Sequence, residues 1–177
     1  EQQIKLFDDS YDAKLNAWNF QRLLAKKYDI VVTNPPYMGN RGMGDKISGY
    51  VQERFPDSKS DLFSAFIERC SELTSSNCFF AMITQPSILF LSSFNQLRQR
   101  IVKEQSIQSI LHMGRGIFGI DFGSTAFVIR KTRAEDFIGN YFRLHERTFQ
   151  YIAPDDIESL FLSAKNNHEF SFNFSTY

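Results

Sequence analysis

The stretch Tyr28-Asp-Ile-Val-Val-Thr-Asn-Pro-Pro-Tyr37 decides how this chain folds. Tyr28 to Thr33 is a short β-branched run, which predicts a buried strand. Asn34-Pro35-Pro36 ends it, because Pro35 forces Asn34 out of the α region and neither proline can donate to a ladder. A buried strand meeting a rigid turn at its carboxyl end is where ligands bind in open α/β sheets. An ordinary Asn-Pro loop is the bland alternative, since such dipeptides are common turn signals.

Upstream, Leu15, Trp18, Leu23 and Leu24 predict a loosely amphipathic helix from Asp12 to Lys27. Downstream, Met38 to Asp45 is a Gly-rich loop, and Ile47, Tyr50, Val51 and Phe55 predict a short helix closed by Pro56. A second helix is expected from Asp61 to Ser75, with Ser60 as its N-cap and an apolar stripe of Leu62, Phe63, Phe66, Ile67, Cys70 and Leu73. Cys78 to Thr84 is apolar on both faces, as in a covered parallel strand. Ser93 is expected to cap a helix carrying Phe94, Leu97 and Ile101. Ile107 to Met113 and Thr125 to Arg130 read as two further strands joined in a hairpin. Past Thr132, Asp155 to Ala164 predicts a short helix and Glu169 to Tyr177 a strand. The alternation gives an α/β layer structure whose four strands make half a doubly wound sheet.

The 177 residues, 42% of them hydrophobic, and the balance of 20 acidic and 20 basic side chains describe a globular domain and exclude a disordered chain. No apolar run approaches the ~20 residues that cross a bilayer. Cys70 and Cys78 are too few for a disulfide framework or a tetrahedral metal site, so a cytoplasmic setting is expected and no metal. Glu1-Gln-Gln-Ile-Lys5 has neither an initiating Met nor a signal core, so the chain is expected to be part of a longer protein. Zero net charge removes the global argument for nucleic acid, leaving any such case to a site.

The turn suggests such chemistry. A planar exocyclic amine delocalises its lone pair into the ring and attacks poorly until acceptors on its N–H bonds draw the nitrogen toward tetrahedral geometry. The Asn34 amide oxygen and the Pro35 carbonyl supply two acceptors, and the two prolines hold them rigidly. Tyr37 offers a flat face on which a base can stack.

With these residues in view, Asn34-Pro35-Pro36-Tyr37 after a hydrophobic strand resembles the catalytic motif of adenine-specific, amino-methylating DNA methyltransferases. The likeness runs from Lys27 to Lys131, through Ser58-Lys-Ser-Asp-Leu-Phe63, the Phe79 to Pro86 strand and turn, and Leu111 to Arg130. Tyr37 to Met43 and Pro56 to Asp61 are similar to the large methyltransferases of phage-exclusion (BREX) systems and fused restriction-modification enzymes. The resemblance implies a partial Rossmann-like α/β fold dependent on S-adenosylmethionine, ending in a β-hairpin. It implies that Asn34, Pro35, Pro36 and Tyr37 are catalytic, and that Tyr37 and Phe118, with Phe122 second, bind the base. Packing in the core is the alternative for both phenylalanines. The family's Gly-rich cofactor loop has no counterpart, so cofactor-binding residues stay unassigned. Residues 1–132 are then the carboxyl-terminal half of a catalytic domain and 133–177 a connector toward a target-recognition region. The implied partner is duplex DNA with its adenine flipped out of the stack, together with the missing half of the domain and the recognition region. A methyltransferase acting on glutamine or RNA bases, or a non-catalytic interaction subunit, are the rival readings.

Other motifs carry less. Gly114-Arg-Gly-Ile-Phe-Gly119 fits a dinucleotide fingerprint, but a strand rather than a helix follows it. Met38 to Lys46 lacks the Gly-Lys-Ser/Thr ending of a phosphate loop. His112, His145 and His168 are scattered and receive no role.

Overall fold

The computed structural model describes residues 9–119, 121–145 and 150–166. Its elements are α1 (Asp9–Ala25), β1 (Tyr28–Thr33), α2 (Asp45–Arg54), α3 (Leu62–Leu73), β2 (Thr74–Thr84), α4 (Asn95–Glu104), β3 (Ser106–His112), β4 (Thr125–Arg130), β5 (Asn140–Arg143) and α5 (Ile157–Asn166). The five strands form one sheet in the order β1-β2-β4-β3-β5. β1 and β2 are parallel, β4 runs against both β2 and β3, and β5 is parallel to β3. The carboxyl ends of β1, β2, β3 and β5 therefore share one edge, into which the β3–β4 hairpin loop also opens.

Strand alternation divides the apolar residues between two faces. On one, Phe80, Met82, Phe127 and Ile129 pack with Phe63, Ile67 and Cys70 of α3 and Leu97 and Ile101 of α4. On the other, Ile83, Leu111, Ala126 and Phe142 join Met113, Ile117, Leu144, Ile152 and Ala164 beneath α5. A third cluster, Met43, Val51, Phe55 and Ala65, holds α2 against α3. Residues 133–166, part of the 133–177 segment read from sequence as a connector, supply β5 to the sheet and α5 against its face.

Most elements fall where the sequence puts them, and the departures have identifiable causes. β1 has its predicted limits but is an edge strand: Ile30 and Val32 are 70% and 69% exposed. Ile30 is in register with Phe79 and Val32 with Ala81, and they form an apolar strip on the face that α5 covers only at its far end. Asp61, not Ser60, is the N-cap of α3, accepting a hydrogen bond from the Phe63 amide. Ser92–Phe94 is a 3-10 turn and Phe94, not Ser93, precedes α4. β2 starts at Thr74, four residues early, because Thr74 turns straight out of α3 with its hydroxyl on the Cys70 carbonyl at 2.7 Å. The strand expected over Glu169 to Tyr177, and His168, lie outside the described residues.

The loop between β3 and β4 is fixed from outside. Arg115 N donates to Gln150 O at 2.9 Å and Ile152 N to Arg115 O at 2.7 Å. Gly116 sits at φ +89° under the Tyr151 ring, where a Cβ would lie 2.4 Å from a ring carbon. The tight glycines thus serve a turn clamped by a distant segment, and β4 follows instead of the helix a nucleotide fingerprint needs.

Candidate active site

Asn34 stands at the carboxyl end of β1, exposed, followed by a buried Pro35 and an exposed Pro36. The Tyr37 hydroxyl lies 3.3 Å from Asn34 Oδ1 and 3.3 Å from the Ile83 carbonyl, and donates its one proton between them. Burial raises the phenol's pKa, which keeps that proton on. The hydroxyl thereby ties the amide of Asn34 to β2, the neighbouring strand.

Two rings meet Tyr37. Phe63, fully buried in the first turn of α3, presents an edge contact at 6.2 Å between centroids and 90° between planes. Phe122, from the β3–β4 loop, lies 6.2 Å away at 70°. Phe122 is 48% exposed, and Phe118 is 63% exposed in a left-handed conformation at φ +58°. Of the two loop phenylalanines, the second choice from sequence is the one brought to Tyr37. Arg115 braces the loop, its guanidinium reaching the Asp121 carbonyl and carboxylate.

Asp61 was legible only as a helix-terminal carboxylate, yet its Oδ1 accepts from Phe63 N at 3.2 Å and from Met38 N at 3.0 Å. It thus joins the turn to α3. Arg41 lies on the Gly-rich segment beyond the turn and Lys46 in the first turn of α2, both exposed. Among the described residues, no group of three or more His, Cys, Asp or Glu side chains is arranged to hold a metal, and no helix is long and apolar enough to cross a membrane.

Further along the same edge, the rings of His112 and His145 meet edge to face at 4.3 Å. Burial above all, then His145 and Arg143, pushes the pKa of His112 down to about 4. The folded state keeps His112 neutral while the unfolded chain takes up a proton near pH 6.5. The resulting stability is full above that pH and is lost as pH falls from about 6.5 toward 4, by about 1 kcal/mol after allowing for solvent screening. Melting temperatures between pH 7.5 and 4.5 should fall less steeply in His112→Gln than in wild type; parallel curves would remove the effect.

Residues 1–118 match the family described as Eco57I restriction-modification methylase. The chain is 38% identical over 159 residues to the adenine-specific methyltransferase PglX of Lacticaseibacillus casei (strain Zhang), a match covering 88% of this chain and 13% of that protein. The chain therefore spans about an eighth of the length of that curated relative. Its fold is similar to the methyltransferase subunit of the type I restriction-modification system from Streptococcus thermophilus, with TM-score 0.60, 18% identity, and 84% of this chain and 35% of that chain covered. It is also similar to a nuclease-deletion mutant of the type ISP restriction-modification enzyme LlaGI solved with a DNA substrate mimic, with TM-score 0.63, 15% identity, and 90% and 18% covered. The mixed five-stranded sheet with its helices matches class I S-adenosylmethionine-dependent methyltransferase structures over part of their length.

Proposed function

This chain belongs to the Eco57I restriction-modification methylase family, and from that membership we propose that it supplies the acceptor turn of an adenine-specific DNA methyltransferase in restriction-modification or phage exclusion. The observation that carries the reading is the Tyr37 hydroxyl on Asn34 Oδ1, with Phe122 across the Tyr37 ring. In this reading Asn34 Oδ1 and the Pro35 carbonyl accept from the 6-amino group of an adenine flipped out of the duplex. The Tyr37 phenol exchanges its bond to Asn34 for the one to Ile83, freeing the amide oxygen for the amine. Tyr37 stacks on the base and Phe122 closes its second side, with Phe118 as reserve. No charged base is needed, because the amine loses its proton only as it becomes a cationic, strongly acidic nitrogen.

S-adenosylmethionine supplies the methyl group when bound. The residues present fit the amine-binding side of such a reaction: two neutral acceptor oxygens and aromatic faces, with Asn34 on the open edge of the sheet beside exposed Ile30 and Val32. We assign the principal cofactor loop and the DNA-recognition region to sequence outside this chain, a reading supported by the 13% of PglX that it covers.

The protein expressed at its full encoded length should transfer labelled methyl from S-adenosylmethionine to duplex DNA, recovered as adenine methylated on its 6-amino nitrogen. Label found instead in RNA or on a protein glutamine would transfer the turn to a rival acceptor. The 177-residue chain by itself should show no turnover.

A further inference from the structure

We propose that Asp61 is a positioning residue for the acceptor turn, a role that rests on the function proposed above. A cap needs one acceptor for one helix amide, and Asp61 Oδ1 provides it at Phe63 N. The same oxygen also holds Met38 N at 3.0 Å, 23 residues away and immediately after the Asn-Pro-Pro-Tyr motif. Pro35 and Pro36 have no N–H to bond, so beyond β1 the turn must be fixed at its far end.

Around that bond the backbones of 38–40 and 60–62 run antiparallel. Leu62 N donates to Met38 O at 2.9 Å and Asn40 N to Ser60 O at 3.1 Å. The segment before Asp61 is itself anchored: Ser58 is fully buried, its hydroxyl on Glu68, and Arg100 bonds Glu68 and reaches Asp57 at 3.5 Å. Ser64 Oγ donates to the Ser58 carbonyl at 2.6 Å. Asp61 thus transmits the position of a buried network to Met38. Through the adjoining Tyr37, which Phe63 abuts, it sets the acceptor oxygen of Asn34. A displacement of about 1 Å at such a point costs roughly a hundredfold in rate.

Three substitutions in the full-length protein separate positioning from capping. Asp61→Asn keeps an acceptor at Oδ1. Asp61→Ser keeps a competent cap, but its hydroxyl is too short to reach Met38. Asp61→Ala keeps neither. In Asp61→Ser, melting temperature should stay near wild type while kcat falls at least about tenfold with the KM for DNA within about threefold. Asp61→Asn should restore kcat, and Asp61→Ala should lose both rate and stability.

A kcat that returns with stability in Asp61→Ser, or an Asp61→Asn variant no faster than Asp61→Ser, overturns the positioning role. These two variants decide it even if Asp61→Ala does not fold. A wild-type protein that methylates adenine, and ceases to in Asn34→Ala, keeps the function reading whichever way the Asp61 series falls. Should wild type show no transfer to DNA, the function reading fails on its own. Amide exchange at Met38, expected to be faster in Asp61→Ser than in wild type with α3 protection unchanged, then reports whether Asp61 holds the turn. Equal exchange would overturn it.

Discussion

In the full-length protein, if it is the methyltransferase proposed, Asn34→Ala is expected to lower kcat by a hundredfold or more while DNA affinity changes little. In the proposed reading the substitution removes one of two acceptors for the amine as charge develops there, an interaction stronger in the transition state than in the ground state. Deleting one such preorganised partner costs on the order of 3 kcal/mol. Asn34 is exposed, so folding should be spared; the Tyr37 hydroxyl that bonds its amide oxygen retains Ile83 O. Methyl transfer is read by single turnover with saturating DNA, and affinity by titration without turnover. A rate within about threefold of wild type would remove Asn34 from catalysis.

How far the sequence reveals this depends on how local each determinant is. β4 could be read to the residue, because Thr125 to Arg130 alternates with Phe127 and Ile129 on a buried face. The Asn-Pro-Pro-Tyr turn was legible because proline geometry is encoded in the residues themselves. β5 was missed: four residues pair with a strand some thirty positions earlier and only Tyr141 is buried among them. The exposure of β1 was also illegible, since Ile30 and Val32 look like core until their neighbours in the sheet are known. Both Asp61 and Phe122 belong to that nonlocal class. Capping by Asp61 is a two-residue relation that its place before Leu62 suggests, whereas its bond to Met38 spans 23 residues. The choice of Phe122 over Phe118 follows from a loop conformation set by residues 150 to 152.

Phe63→Ala is expected to have the opposite signature to Asn34→Ala, with a loss of about 3 to 5 kcal/mol of folding stability whether or not DNA is present. Phe63 is fully buried and packs on Phe94 at 5.4 Å as well as on the edge of Tyr37. Its truncation leaves a cavity in the main core, which also slackens the support of Tyr37. The rings proposed to face the base should behave differently. Tyr37→Ala and Phe122→Ala should each lose roughly 1 to 3 kcal/mol of base stacking, with most of it regained by another aromatic at the same position. Phe122 is half exposed, so its stability cost should be small; Tyr37, partly buried, should show a moderate one. Thermal unfolding paired with 2-aminopurine at the target position separates the cases, since a flipped base gains fluorescence and loses part of it on stacking. At equal DNA occupancy, Tyr37→Ala and Phe122→Ala should be brighter than wild type and Phe118→Ala unchanged. Brightening by Phe118→Ala without Phe122→Ala would return the second face of the base to Phe118. If instead Phe122→Ala were dark and strongly destabilised, Phe122 would be a packing residue and Tyr37 the remaining stacking partner.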